Sequence, residues 1–265
     1  MSAVAQEAEF FDRWAHARTN ALVPTEPSVL DRYRNPRGLF PKEFCFQLLG
    51  DLRGKAILEL GCGEGEDAVL LAKLGARVTG LDVSPLSIEL ARRRAALDGV
   101  ADRTDFRCAQ LDEAGLPERS FDVVFVDNVL HHMLDDLDGT LRALLRAAKP
   151  GALFLCIEPV NLSKLLRRVR FLVPVHTEVT PGERPLEKRD LEILHRHLPG
   201  LRRRHFNFLG RLGRFVIPDY RYERAPWWRR QLLDLLARID RAVLAFAPLH
   251  FLGGMAVMHA RTASS

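Results

Sequence analysis

The sequence predicts an α/β protein built on an open, doubly wound parallel sheet, and three observations predict it. Short apolar runs alternate with amphipathic segments of helical period between residues 56 and 157, the rhythm of strands covered by helices on both faces. The first run ends in Gly61-Cys62-Gly63-Glu64-Gly65, a glycine cluster where a strand must turn sharply into a helix. The second ends at Asp82, a carboxylate at the strand end where sheets of this kind hold ligands.

The elements follow in chain order. Residues 6–18 suit a helix with Phe10, Phe11 and Trp14 on one face, a Pro-containing loop comes next, and Pro41 to Leu49 can form a second helix. Ala56 to Leu60 is the first strand. Glu66 to Leu74 then reads as helix, Arg77 to Leu81 as strand, Pro85 to Asp98 as helix and Thr104 to Ala109 as strand. Phe121 to Val126 reads as strand, Asp138 to Ala148 as helix and Leu153 to Ile157 as strand. Beyond these, Pro185 to His197 is helical, Arg202 to Phe208 a strand, Pro226 to Phe246 an amphipathic helix and Gly254 to Arg261 the last strand. No repeat or low-complexity tract divides the chain. It reads as a single domain over 1–265, with an N-terminal cap segment over 1–50 and a cofactor-binding core over 54–160. The rest, 161–265, is a substrate-side half with a helical insertion at about 214–250.

Composition narrows the class. The four cysteines lie far apart with no C-x-x-C pair, so neither a disulfide framework nor a zinc site has the spacing it needs. The acidic N-terminus lacks the basic start and apolar stretch of a signal peptide, which with the unpaired thiols points to a cytoplasmic protein. The uncharged run from Ala242 to Met258 would rise only about 25 Å as a helix, and Pro248, Gly253 and Gly254 interrupt it; it is no membrane span. Charge is uneven: 19 Lys+Arg stand against 25 Asp+Glu up to residue 160, and 20 against 9 after it. The basic half favours anionic partners such as phosphates or acidic lipid, or else it solubilises a helical face.

The glycine cluster differs from a dinucleotide fingerprint because its third glycine comes one residue early, and Glu64, Glu66 and Asp67 crowd the following helix N-terminus. A pyrophosphate would be repelled there, whereas a ligand carrying sulfonium and ammonium charges would not. Asp82 can accept from both hydroxyls of a ribose, with Val83 offering an apolar edge to a base.

Two further segments extend the pattern: Ser120-Phe121-Asp122-Val123-Val124-Phe125-Val126-Asp127-Asn128-Val129-Leu130-His131-His132, and Leu145-Arg146-Ala147-Ala148-Lys149-Pro150-Gly151-Ala152-Leu153. Over roughly residues 54–160 the chain resembles the class I S-adenosylmethionine (SAM)-dependent methyltransferases, particularly the small-molecule branch of quinone and natural-product enzymes. The resemblance implies a Rossmann-like sheet of seven strands with the last strand antiparallel, helical cap insertions, and SAM as cofactor. It places Glu59, Gly61, Cys62, Gly63 and Gly65 near the methionine portion, Asp82 and Val83 at the adenosine, and the backbone of Asp127 near the amino group. Where the family usually has Asp after the third strand this chain has Gln110, whose amide oxygen, beside Leu111, can accept from the adenine amino group; Asp112 is a shifted alternative.

Methyl transfer from a sulfonium is a direct displacement, so alignment and exclusion of water carry most of it, and a base helps only a protonated nucleophile. His131, His132 and Glu158 stand at the ends of the fourth and fifth strands as candidates. A His/His/Glu cluster also suggests a metal, but the acids that metal-using relatives carry are replaced here by Asn128 and His131, so no metal is assigned. Phe11, Trp14, Tyr33 and Tyr222, with Phe215, Trp227 and Trp228, are candidates to close an apolar acceptor cavity, and Arg34 and Arg37, or His176 and Arg184, to hold an acidic group. The leading function is methylation of O, N or C of a small, rather apolar, possibly anionic metabolite. Nucleic acid is disfavoured as acceptor because Asp127-Asn128-Val129-Leu130 stands where base-amine enzymes carry an Asn/Asp-Pro-Pro-aromatic segment. The remaining alternative is a noncatalytic SAM-binding or membrane-docking module whose basic amphipathic helix contacts anionic membrane.

Overall fold

The computed structural model describes residues 3–16, 22–163, 183–218 and 221–263. Seven strands form one sheet: β1 (Ala56–Leu60), β2 (Arg77–Asp82), β3 (Thr104–Cys108), β4 (Phe121–Asp127), β5 (Ala148–Pro159), β6 (Arg202–Phe206) and β7 (Met255–Arg261). Their order is β3-β2-β1-β4-β5-β7-β6, with β7 antiparallel to both neighbours and every other pairing parallel. The seven-stranded sheet with its reversed last strand is thus as expected. The order reverses between β1 and β4, so their following loops diverge to opposite faces and leave a cleft at the carboxyl edge.

The nine helices among the described residues are α1 (Ala3–His16), α2 (Pro27–Arg34), α3 (Pro41–Leu49), α4 (Glu66–Lys73), α5 (Pro85–Leu97), α6 (Leu137–Ala147), α7 (Lys188–His197), α8 (Gly213–Val216) and α9 (Trp227–Val243). On one face Phe46 and Leu49 of α3, Val69 of α4 and Ile88 of α5 pack against Ile57, Phe125 and Leu155. On the other, Leu141 and Leu144 of α6 and Leu194 of α7 pack against Leu58, Val124 and Phe154. The period of two along each strand therefore decides where the strand-end acids point. Glu59 follows Ile57 toward α3 and α4, while Glu158 follows Phe154 and Cys156 to the opposite face.

Some boundaries differ from the sequence reading. Residues 27–34, expected as loop, are α2: Pro27 starts the helix without losing a needed N–H, and none of its residues is buried, so no apolar stripe announces it. β5 begins at Ala148 rather than Leu153, because Phe121 pairs with Ala148 across an irregularity in the β4 ladder. α7 starts at Lys188, where Asp190 turns back to accept from the Glu187 N–H at 2.7 Å. The apolar run from residue 242 is split between the end of α9, a short 3₁₀ segment over Ala247–Leu252 and β7. Among the described residues no helix is long and apolar enough to cross a membrane.

One ion-pair network ties the first cap segment to the last. Arg32 of α2 donates to Glu43 (2.6 Å) and Glu223 (2.9 Å), and Arg37 donates to Glu43 (3.1 Å), Asp234 of α9 (2.5 Å) and the Tyr222 hydroxyl (3.2 Å). Glu43 is fully buried on α3 and also accepts from the Leu39 N–H. Asp234→Ala removes one carboxylate from Arg37 and the acceptor of the Tyr222 hydroxyl, and is expected to destabilise the chain by about 1–3 kcal/mol in urea unfolding. Removing Glu26 from its exposed pair with Arg224 should change stability by less than about 1 kcal/mol. Equal effects from the two substitutions would show that the network carries no special share of cap stability.

Candidate functional site

The site grows from the turn after β1. Gly61, Gly63 and Gly65 all have left-handed backbone, with φ of 66°, 49° and 75°. A Cβ on Gly61 would lie 2.2 Å from Val129 Cγ2 of the β4 loop, so the two sides of the cleft meet only because residue 61 has no side chain. Gly63 has nothing within 4 Å on its Cβ side and faces the open cleft. Asp82 braces the turn, its Oδ2 accepting from the Gly63 N–H at 2.8 Å and its Oδ1 from the Ser84 N–H at 2.9 Å. Each oxygen keeps a lone pair for a ligand hydroxyl. Burial raises the Asp82 pKa, against the lowering effect of those N–H groups.

Beneath the turn lies an acidic floor. Glu59 is buried, and its Oε2 has no hydrogen-bond partner. Burial and the nearby Asp67 push its pKa well up, while Lys42 of α3 opposes them. The Lys42 ammonium sits 2.9 Å from Asp67 and 3.4 Å from Asp127, and despite burial these carboxylates hold it protonated. The charge expected at the start of α4 is largely answered, because Arg94 pairs with Glu64 (3.3 Å) and Glu66 (3.5 Å). What stays under-compensated is Glu59, a buried oxygen suited to a cationic group and hostile to phosphate. The floor thus fits the ammonium and sulfonium end of SAM.

The other predicted cofactor residues line the same edge. Cys62 is buried, its N–H donating to the Leu81 carbonyl at 2.9 Å, and burial with Glu59 pushes its thiol well up. Val83 is half-buried beside Asp82. Leu111 belongs to the core, and Gln110, half-buried, makes no side-chain hydrogen bond among the described residues, so its amide is available; Asp112 is exposed.

Across the cleft, β4 hands over to Asn128, a non-glycine residue at φ 58° that turns the chain. The next two N–H groups, Val129 (3.0 Å) and Leu130 (2.7 Å), both donate to Oε1 of fully buried Glu158. Glu158 Oε2 stands 2.8 Å from His131 Nδ1, and Glu183 Oε1 stands 3.1 Å from His131 Nε2. With a carboxylate at each ring nitrogen, His131 is an imidazolium. Burial alone would lower its pKa, but the two carboxylates outweigh it and raise it to about 9. His132 is pushed the other way, to about 4, by burial and by the neighbouring charge on His131, whose ring lies 4.2 Å away. The ligand atoms of His131, His132 and Glu183 lie within 4.8 Å of one another, a spacing compatible with a metal ion.

α1 lies across this cleft. Its Glu7 is 3.3 Å from His132 Nδ1, and its Asp12 accepts from Ser84 Oγ (2.5 Å) and the Leu86 N–H (3.1 Å). The helix therefore reaches the ends of both β4 and β2, and must pass over β1 between them. Burial, then Asp82 and Glu183, raise the Glu7 pKa to about 7. Phe11 packs edge-on to His132 at 5.9 Å, while the Trp14 side chain and His176 lie outside the described residues.

Of the residues offered for acceptor contacts, Tyr33 and Tyr222 line a cavity of about 270 Å³ with Phe40, Pro41, Phe206 and Ile217. Arg34 does not join them: it is exposed and paired with Asp31 at 3.3 Å. Arg37 and Arg184 are committed to internal carboxylates, Arg184 to Asp190 at 2.6 and 2.9 Å. Sequence reasoning missed Lys42, Glu7 and Glu183 as parts of the site. Each is a lone charged residue without local pattern, and only the fold brings it there.

Residues 58–156 match the model of a family described as a methyltransferase domain. A ubiquinone biosynthesis O-methyltransferase of Methylocella silvestris is 36% identical over 122 residues, 46% of this chain and 45% of that protein. The 27-O-demethylrifamycin SV methyltransferase of Amycolatopsis mediterranei is 36% identical over 124 residues, 44% and 45% of the two chains. The chain thus spans about half the length of these curated relatives. In fold it is similar to geranyl diphosphate C-methyltransferase from Streptomyces coelicolor, with a TM-score of 0.57 at 13% identity over 97% of this chain and 98% of that one.

Two outcomes follow from the geometry. Gly61→Ala drives a methyl group into Val129 and should disturb folding, whereas Gly63→Ala costs only about 1 kcal/mol of backbone strain and should leave the fold intact while weakening SAM in calorimetry. Undiminished SAM affinity in Gly63→Ala would place the cofactor elsewhere. The His131 pKa, raised above 6.5, means its ion pairs stabilise fully below pH 6.5 and lose that contribution as pH rises through 9. The Tm advantage of the wild type over His131→Gln should therefore shrink across that window; a gap independent of pH would show that the carboxylates do not hold a charged ring.

Proposed function

We propose that this chain, which carries a class I SAM-dependent methyltransferase domain over residues 58–156, moves the methyl group of SAM onto a small, rather apolar metabolite, with a hydroxyl oxygen as the favoured acceptor atom. The carrying observation is the His131–Glu158 pair facing the glycine turn across one cleft. The names of both relatives, each an oxygen-methylating enzyme, support oxygen over nitrogen or carbon.

SAM supplies an electrophilic methyl group on a sulfonium. The chain's residues do the rest. Glu59, with Asp67 and Asp127 around Lys42, offers an acidic floor to the amino acid end, and a bound cation would favour the ionised form of Glu59. Asp82 receives the ribose hydroxyls, Val83 and Leu111 meet the adenine ring, and Gln110 accepts from its amino group. α1 covers the cleft and excludes water, with Phe11 over His132.

Glu158, pinned by two N–H groups, keeps a proton on His131 Nδ1 and so leaves Nε2 to exchange protons with the acceptor, the orienting role a carboxylate plays behind any catalytic imidazole. Glu183 holds that position in this structure, and the ring is charged. An acceptor hydroxyl that takes the place of Glu183 removes one stabilising carboxylate, lowers the ring's pKa and meets a neutral Nε2. Nε2 would take the hydroxyl proton as the oxygen displaces the sulfonium sulfur from the methyl carbon, the sulfur leaving as a neutral thioether with the electron pair of the broken bond. The acceptor's apolar body is assigned to the cavity bounded by Tyr33, Phe40 and Phe206, on the α3 side with its Pro41 wall beside Lys42, so the acceptor must span the carboxyl edge to reach His131. N-terminal and late cap segments together make the substrate side, and the whole chain acts as one unit.

The test is a methyl-transfer assay with labelled SAM and a panel of small hydroxylated aromatic and isoprenoid compounds. kcat/KM should rise with pH toward an ionisation near 9, because the free enzyme's base must first lose a proton, and Glu183→Gln should move that inflection lower. His131→Gln should cut kcat by roughly 10² to 10⁴ with SAM affinity retained. A profile flat through pH 9 with full activity in His131→Gln would remove the imidazole from the chemistry, and failure to bind SAM would remove the reading altogether.

A further inference from the structure

The outer face of α9 is an unpartnered apolar stripe. Trp228, Leu232, Leu235 and Ile239 recur at spacings of four, three and four, and all are exposed, Leu235 at 54%. Trp227 (69% exposed) precedes the stripe, Phe246 (62%) extends it past the helix end, and Phe215 (66%) stands on α8, which packs against α9. No other part of the described chain exposes so many large apolar side chains together.

Among the described residues, the charges beside it are all of one sign. Arg229 and Arg238 flank the stripe, and guanidinium groups lie over two of the exposed rings: Arg229 over Trp228 at 5.1 Å and Arg214 over Phe215 at 4.6 Å. The described acids of the same segment are turned inward. Asp234 accepts from Arg37 and Tyr222, Asp240 caps the N–H groups of Phe208, Leu209 and Gly210, and Glu223 pairs with Arg32. Burying the acids strips the outer face of anything that would repel a negative surface.

We propose that this face docks the protein on the surface of an anionic lipid bilayer, α9 lying in the interface plane with its aromatics among the headgroups. Charge complementarity selects this occupant: a second copy related by a two-fold axis would bring the same arginines face to face, whereas a bilayer offers phosphates to the guanidinium groups and acyl chains to the stripe. The inner side of the same helix, at Leu233 and Ala237, walls the 270 Å³ cavity. If that cavity takes the acceptor, as argued above, docking sets it beside the phase in which apolar acceptors dissolve; the docking itself does not depend on that chemistry.

Sedimentation of the full chain with phosphatidylcholine vesicles, with and without phosphatidylglycerol, reads it directly. Association is expected with the anionic vesicles alone, falling steeply with salt and accompanied by a blue shift of tryptophan fluorescence. Arg229→Glu with Arg238→Glu, and separately Leu235→Ser with Ile239→Ser, should each weaken it by about tenfold or more with SAM binding unchanged. Absence of binding at low salt, binding that ignores both double variants, or a concentration-dependent dimer abolished by the same variants would each overturn the proposal, the last by assigning the face to a second copy.

Discussion

The contact between Gly61 and Val129 fixes the carboxyl edge of the sheet. The turn after β1 and the turn after β4 belong to opposite halves of a sheet whose order reverses between them, so they would diverge unless something drew them together. Val129 packs where residue 61 has no side chain, and the N–H of that same Val129 helps hold Glu158. One residue therefore sets both the depth of the glycine turn and the position of the carboxylate that orients His131. A displacement of either turn is felt on both sides of the cleft, because packed backbone does not yield continuously.

Electrostatically the edge divides into two compartments of opposite design. On the α3 and α4 side, acids outnumber their cation: Lys42 answers Asp67 and Asp127 but leaves Glu59 with an unmatched buried oxygen. On the α6 and α7 side, one imidazole is clamped between two carboxylates, and its charge depresses His132 beside it. The alternation of side chains along β1 and β5 sends Glu59 and Glu158 to these separate compartments, so two buried acids of similar chemistry serve different ends. α1 then closes over both, placing Glu7 and Asp12 at their two ends.

The parallel core was legible because its signals are local. Strands β1 to β4 and helices α3 to α6 announce themselves by apolar period and by glycine or proline punctuation, and Asp82 and the glycine turn follow from where those elements end. α2 was not legible, since its eight residues bury nothing and are held by Arg32 reaching Glu43 and Glu223, one of them 191 positions away. Lys42 and Glu183 were hidden for the same reason: their roles come from partners across the sheet or far along the chain. Arg34 and Arg184, offered as candidates to hold an acidic group, illustrate the converse: an arginine's role depends on which carboxylate it meets, and both meet one of the chain's own.

The basic second half posed a choice between a partner-seeking charge and a merely solvated one, and the placement of the acids supports the proposed docking face. A solvated helical face normally intersperses both signs. Here Asp234 and Asp240, spaced to fall on one side of α9, are consumed by Arg37, Tyr222 and the backbone after β6, and that inward use builds the junction between the first and last cap segments. The same step leaves arginines and exposed tryptophans alone on the outside. Cap cohesion and outer-face charge are thus one design: a substitution that freed Asp234 to turn outward would loosen α9 from Arg37 and at the same time place a negative charge beside the apolar stripe, so neither property can be altered without the other.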